Sequence, residues 1–383
     1  MALDPDVFHA LLGTVRRFVH ERLVPLEEQV EREDAVPEDV IDEMKELGLF
    51  GLSIPEAYGG LGLSLEEEAR VVFELGETSP AFRSVFGTNV GIGSQGILLD
   101  GTQAQKETYL PRMASGELVG SFALTEPDAG SDAAALRTRA VRDGDHYRLL
   151  GTKRWITNAP RAGVFTLMAR TGTPEERARG VTAFLVDASL PGIELGPPYV
   201  KMGQRGTHVC DVHLDDVRVP ADAIIGGTPG RGFKTAMKVL DKGRIHIAAL
   251  AVGIAQRLME EMVRFATERV QFGRPIGEHQ LVQGLLADSE AERYAARAMV
   301  LDAARRFDAG AAVTREAACC KLFATEMVGR VADRAVQVHG GAGYIAEHAV
   351  ERLYRDVRLL RLYEGTSQIQ QLIIARHVLR DPG

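Results

Sequence analysis

Three long helical stretches without breaks constrain this chain most: about 233–272, 279–307 and 314–339. Helices of this length joined by short connections must bury their apolar faces against one another, which predicts an antiparallel bundle. Residues 1 to about 120 are helical in pattern as well. Phe8, Leu11, Leu12, Val15 and Val19 share one helical face, and that run is expected to close before Pro25. Ser64-Leu65-Glu66-Glu67 is a capping box that opens another helix. The glycines of 55–62 mark a loop between helices.

Between about 118 and 225 the period changes. Val164-Phe165-Thr166-Leu167-Met168-Ala169 and Val181-Thr182-Ala183-Phe184-Leu185-Val186 are short, strand-like runs between turn residues. Asp143-Gly144 is expected to close a hairpin between 138–141 and 147–150, and 212–214 and 217–219 suggest further strands. No long helical crossover separates these runs, so antiparallel pairing is expected. No repeat or low-complexity segment is visible.

The chain has 383 residues, 45% hydrophobic and 26% charged, ample for a large core. A formal net charge of −8 without a Lys/Arg run argues against nucleic acid as a partner. Cys210, Cys319 and Cys320 form neither a disulfide framework nor a zinc pattern, and no His/Cys/Asp/Glu spacing suggests a metal. The acidic start has no signal-peptide or transit-peptide profile, and no apolar run reaches the ~20 residues of a membrane span. A reducing, cytoplasmic compartment is the expectation. No Gly-x-Gly-x-x-Gly follows a strand, so no dinucleotide site of the usual kind is visible.

Glu364 lies between an aromatic and a glycine, directly before a new helix. Thr366 or Ser367 can cap that helix, and Ile369, Leu372 and Ile373 then share an apolar face. A carboxylate so placed suits a positioned general base, although a solvated helix cap has the same local pattern.

Phe122-Ala123-Leu124-Thr125-Glu126-Pro127-Asp128-Ala129-Gly130-Ser131-Asp132, Trp155-Ile156-Thr157-Asn158 and Tyr363-Glu364-Gly365-Thr366 together resemble the acyl-CoA dehydrogenase family. Asp216-Val217-Arg218-Val219-Pro220, Leu240-Asp241-Lys242-Gly243-Arg244, Arg269-Val270-Gln271-Phe272-Gly273 and Gln337-Val338-His339-Gly340-Gly341 extend the likeness, in order, from about residue 8 to the end. The resemblance implies an α+β, mainly α fold. It would comprise an N-terminal helical domain (1–120), a small central antiparallel β domain (121–230) and a C-terminal four-helix bundle of long helices (231–383).

It further implies FAD as cofactor, an acyl-CoA substrate, electron-transfer flavoprotein as electron acceptor, and a homo-oligomer, a tetramer built as a dimer of dimers. Glu364 matches the catalytic base. Some relatives carry the base at the position of Gly243, which has no side chain here. Arg244, Asp241, Ser131 and Gly365 match substrate contacts. Phe122, Leu124, Thr125, Ser131, Trp155, Ile156 and Thr157 match the flavin wall. Arg269, Gln271 and Phe272 match groups reaching the cofactor of a neighbouring subunit at the end of the long helix. His279, Gln280, Gln337, Val338, His339, Gly340, Gly341, Thr366, Ser367 and Gln368 match the remaining cofactor contacts. The wording around 122–125 and 240–244 is most like short- and medium-chain members, and pocket depth is expected to depend on 84–99, including Phe86 and Thr88. A flavin oxidase of similar fold and a non-catalytic scaffold are the alternatives. Glu364 and Arg244, both present, weigh against the scaffold.

Overall fold

In the computed structural model, which describes residues 3–380, twelve α-helices and one seven-stranded sheet form three consecutive regions. The first holds α1 (Pro5–Arg17), α2 (Glu27–Glu33), α3 (Glu38–Glu46), α4 (Leu65–Leu75), α5 (Pro80–Thr88), α6 (Gln95–Asp100) and α7 (Gln103–Ala114). The helical path does not close at Pro25. A π turn over Phe18–Leu23 and a 3-10 turn over Val24–Leu26 carry it through, with Pro25 at the start of the tight turn, where a missing amide donor costs little. The capping box on α4 forms as expected: Ser64 accepts from the Glu67 amide and Glu67 accepts from the Ser64 amide.

The sheet comprises β1 (Gly120–Ala123), β2 (Arg139–Asp143), β3 (His146–Thr157), β4 (Val164–Arg170), β5 (Val181–Asp187), β6 (Ile193–Leu195) and β7 (Val209–Pro220). Its order is β1-β4-β2-β3-β7-β6, with β5 also on β4. Most pairs are antiparallel, but β1 runs parallel to β4, and β2 meets β4 in parallel at one residue pair. The β2–β3 hairpin supplies the long connection that parallel pairing requires, a role the absence of a helix had hidden. The hairpin turn is Gly144-Asp145, one residue later than expected, because Asp143 still pairs with His146. Strands β4 and β5 are buried on both faces, which explains their continuous apolar runs.

The last region holds α8 (Gly232–Glu268), α9 (Gln280–Asp308), α10 (Thr314–His339), α11 (Ala349–Val357) and α12 (Ser367–Arg380). Helices α8, α9 and α10 pack on one another around a large apolar core, and α12 lies on α10. Helix α8 ends at Glu268, so Arg269 to Phe272 leave the helix. A short hairpin, β8 (Val270–Gln271) and β9 (Arg274–Pro275), turns through Phe272 (φ +51°) and Gly273 (φ +77°).

A buried polar cluster joins the first and last regions. Glu68 of α4, fully buried, accepts from His246 at 2.7 Å and pairs with Lys242 at 2.9 Å, both on α8. His246 Nε2 in turn accepts from Arg83 Nε of α5 at 3.0 Å, so the ring proton lies on Nδ1 and is donated to Glu68. Burial opposes the Glu68 charge, but Lys242 and His246 hold its carboxyl at about 2. Glu68→Gln would leave Lys242 buried without a counter-charge. We expect it to lower the unfolding free energy by about 3–5 kcal/mol, read from the urea midpoint. A loss below about 1 kcal/mol, the range of exposed pairs, would contradict the assignment.

Candidate active site

A cleft of about 560 Å3 opens where β1, the end of β3, α5, the start of α8 and the start of α12 meet. One wall is apolar and aromatic, made of Phe122, Leu124, Trp155 and Ile156. Trp155 owes its position to a register slip between Lys153 and Ile156 in the pairing of β3 with β7. Its backbone turns to φ +57° and its amide donates to Asp211 at 3.3 Å, so the bulge aims the ring at the cleft. The hydroxyls of Thr125, Ser131 and Thr157 line the same cleft and make no side-chain hydrogen bond among the described residues.

The turn at 124–131 is held from behind. Lys153, fully buried, donates to Glu126 at 2.7 Å and to the Leu124 carbonyl at 3.2 Å. Glu126 also accepts the backbone amides of Arg137 (2.5 Å) and Thr138 (3.0 Å). Burial disfavours its charge, yet Lys153 and these donors keep the carboxyl below the usual range. At the far end, Asn158 adopts φ +59° and donates to the Ser84 carbonyl and the Thr88 hydroxyl, fastening β3 to α5.

The opposite side carries Glu364. It sits at φ +52° and Gly365 at φ +92°, two successive left-handed residues ahead of α12. Such a conformation costs a non-glycine residue on the order of 1–3 kcal/mol and persists only where its surroundings enforce it. Thr366 caps α12 by accepting from the Ile369 amide at 3.3 Å, and Gln370 donates to the carbonyls of Glu364 (3.3 Å) and Gly365 (2.9 Å). Glu364 Oε2 is sealed from solvent without a hydrogen-bond partner. Burial pushes the carboxyl above the ordinary range, and the charges of Arg83, Lys321 and Arg244 draw it back. A Cβ placed on Gly243 would lie 2.2 Å from Glu364 Oε2. The carboxylate therefore lies directly against the α8 backbone, in space that any side chain at 243 would fill.

Of the sequence-derived candidates, Phe122, Leu124, Thr125, Ser131, Trp155, Ile156, Thr157, Arg244, Glu364 and Gly365 come together at this cleft. The others do not line it. Asp241 is occupied by Arg244 (2.5 Å) and the Thr314 hydroxyl (2.7 Å). Ser367 is buried and donates to Glu326, while Gln368 is exposed. Val338 is buried. His339 is buried too, stacks on Phe265 at 4.3 Å and bonds the Ala335 carbonyl. Arg269, Gln271, Phe272, Gln280, Gln337, Gly340 and Gly341 are exposed and His279 half-buried, on a separate surface. Thr88 lines the cleft, but Phe86 is fully buried against Phe50 in the N-terminal core. Arg83 and Lys321 escaped the sequence reading. Nothing in the local sequence of either helix singles them out, and only the tertiary fold brings them near Glu364.

The acyl-CoA dehydrogenase N-terminal, middle and C-terminal domain families match residues 6–117, 121–217 and 230–379. A probable acyl-CoA dehydrogenase, YngJ, of Bacillus subtilis is 43% identical over 96% of both chains. The chain belongs to the acyl-CoA dehydrogenase family. An acryloyl-CoA reductase (NADH) of Anaerotignum propionicum is 41% identical over 95% of this chain and 92% of its own. The butyryl-CoA dehydrogenase structure from Megasphaera elsdenii superposes with a TM-score of 0.95 at 34% identity, covering 99% of this chain and all of that one. Acyl-CoA dehydrogenases are oxidoreductases acting on CH–CH groups, and they are FAD-dependent flavoproteins. The cleft fits such a cofactor: it has a flat aromatic wall, three hydroxyls without partners, and open space beside Gly130, where an added Cβ would meet nothing within 4 Å.

The Gly243 contact yields a sharp test. Gly243→Ala should favour the helix by about 1 kcal/mol in isolation, yet it displaces Glu364. We expect kcat/KM for acyl-CoA to fall at least about 100-fold, the scale of a 1 Å misplacement, in a protein that still folds and binds flavin. Activity within about threefold of wild type would show that the carboxylate does not work from this position.

Proposed function

We propose that this protein dehydrogenates an acyl-CoA thioester between its α and β carbons, giving the trans-2-enoyl-CoA, with Glu364 as the base that removes the α-proton. The observation that carries this reading is the buried, unpaired Glu364 carboxylate oxygen, under the influence of Arg83, Lys321 and Arg244, in a cleft with an aromatic wall. Phe122, Trp155 and Ile156, with the Thr125, Ser131 and Thr157 hydroxyls, would hold FAD, which when bound would supply the two-electron acceptor for the β-hydride, with electron-transfer flavoprotein as the onward acceptor. The chain's own residues bind, orient and exclude water. Burial raises the proton affinity of the carboxylate, strengthening it as a base, and the charges of Arg83, Lys321 and Arg244 offset part of that rise. Gly365, left-handed beside it, leaves room for Gln370 to pack on and hydrogen-bond the turn that carries the base.

The separate surface around Arg269, Phe272 and Gly340 then serves a neighbouring copy. Phe272 is 94% exposed at the tip of the β8–β9 turn, a large apolar side chain that a neighbouring copy would cover. A homotetramer is the assembly we assign, and the particle mass in solution checks it.

One observation favours a particular class of acyl group. Arg83 is buried and lines the cleft, and among the described residues no carboxylate lies within ion-pair distance of it. A guanidinium of this kind suits an acyl chain ending in a carboxylate better than a purely aliphatic one.

Anaerobic titration of the FAD-loaded protein with straight, branched and carboxyl-terminated acyl-CoAs tests both points. Rapid bleaching of the flavin band by one class is expected, and loss of bleaching in Glu364→Gln with flavin still bound. Substantial bleaching in that variant would remove Glu364 from the role of base. Bleaching by aliphatic acyl-CoAs alone would reject the carboxylate class.

A further inference from the structure

Helix α10 carries a core stripe of Ala317, Lys321, Ala324, Val328, Val331 and Ala335, spaced four and three residues apart, and Lys321 is its only charged member. The side chain is fully buried. Among the described residues no carboxylate lies within 4.0 Å of its ammonium, so it is not half of an ion pair. Its one hydrogen bond is to the Gly365 carbonyl, at 2.8 Å. A lysine fully buried in a bundle core without a direct ion-pair partner is rare in folded proteins. An alanine or methionine would complete the stripe without that desolvation.

What the ammonium meets instead is the turn that carries Glu364. The Gly365 carbonyl accepts from Lys321 and from Gln370 together, which fixes the left-handed pair Glu364–Gly365 from two helices, α10 and α12. The charged groups around it are few. Glu364 comes from the turn itself, Arg244 from α8, and Glu326 from one turn further along α10. Glu326 is already engaged by the Ser367 hydroxyl and by Arg361. Around Glu364 stand Arg83 from α5, Lys321 from α10 and Arg244 from α8, with Tyr363 beside it in the chain. Arg244 is bound to Asp241 and Arg83 to His246. Lys321 is the cation of the three that also holds the backbone of the base.

We propose that Lys321 is the positioning residue of the catalytic turn: it clamps the Glu364–Gly365 backbone through the Gly365 carbonyl and holds positive charge beside the Glu364 carboxylate. This rests on Glu364 being the base. The two roles separate by substitution. Lys321→Met removes clamp and charge, Lys321→Gln keeps a donor without the charge, and Lys321→Arg keeps the charge in a different shape.

The test uses the full-length, FAD-loaded protein and an acyl-CoA that bleaches the wild type, with single-turnover bleaching measured from pH 5 to pH 9 alongside melting temperature and flavin content. An opposite charge beside a carboxylate lowers its pKa, so losing that charge must move the acid limb of the rate profile upward, by about one pH unit. Lys321→Met should show that shift together with a fall of about 100-fold at neutral pH. Lys321→Gln should show the shift with a smaller fall, and Lys321→Arg a reduced rate with the limb unmoved. If Lys321→Met does not fold or hold flavin, the Gln and Arg variants carry the same comparison. An acid limb at the wild-type pH in the Met or Gln variant overturns the proposal, as does an equal loss in all three without any shift, the result of mere core damage. Failure of the underlying reading has a different signature, bleaching that survives in Glu364→Gln.

Discussion

The chemistry of this structure converges on one constraint: a carboxylate with one oxygen sealed from water against a helix backbone. Glu364 occupies the space that a side chain on Gly243 would need, and the first helix of the bundle can approach it only because residue 243 has none. Isolated burial would simply protonate such a group. Here three cations from three helices, Arg83, Arg244 and Lys321, surround it and restore part of its acidity. The long helices thus do more than bury apolar surface. Their registers deliver charges from residues 83, 244 and 321 to residue 364.

The β region answers a different demand. A planar cofactor needs a rigid wall with polar groups at its edge, and the sheet provides it by departing from regular geometry. The bulge in β3 turns Trp155 toward the cleft, and the buried Lys153–Glu126 pair fixes the turn whose hydroxyls face it. Asn158 then ties that wall to α5, so both sides of the cleft are referenced to the same helix. The polar cluster of Glu68, His246 and Arg83 continues that tie into α8. The wall is thus hydrogen-bonded to the helix that brings Arg83 near the base, while the base's own turn is held by Lys321 and Gln370.

Much of this was legible in the sequence, for identifiable reasons. The long helices announce themselves because their apolar period persists over many turns, and Glu364 stands out because it sits in a distinctive run before a capped helix. The residues that tune it do not. Lys321 lies in a run whose period says only core, and Arg83 looks like any helical arginine. Their meaning comes from contacts across 43 and 281 residues of chain (364 − 321 and 364 − 83). Glu126 was read with its turn as part of the cofactor segment, yet its partner, Lys153, reveals a structural clamp. The parallel pairing of β1 with β4 was hidden because a hairpin, not a helix, makes the crossover. The ends of helices were also misplaced where local geometry decides. Arg269 to Phe272 continue the helical pattern of α8, but Phe272-Gly273 close a two-residue hairpin instead.

The central claim, that burial raises the Glu364 carboxyl and surrounding cations keep it functional, is open to direct observation. Infrared difference spectra between wild type and Glu364→Gln isolate the carboxyl stretch of this one residue, and its growth and loss can be followed as pH changes. The account predicts a single band that titrates above the ordinary glutamate value of about 4.3. A midpoint at or below that value would mean that the carboxylate is solvated or fully ion-paired, and the picture of a sealed, partly compensated base would be wrong.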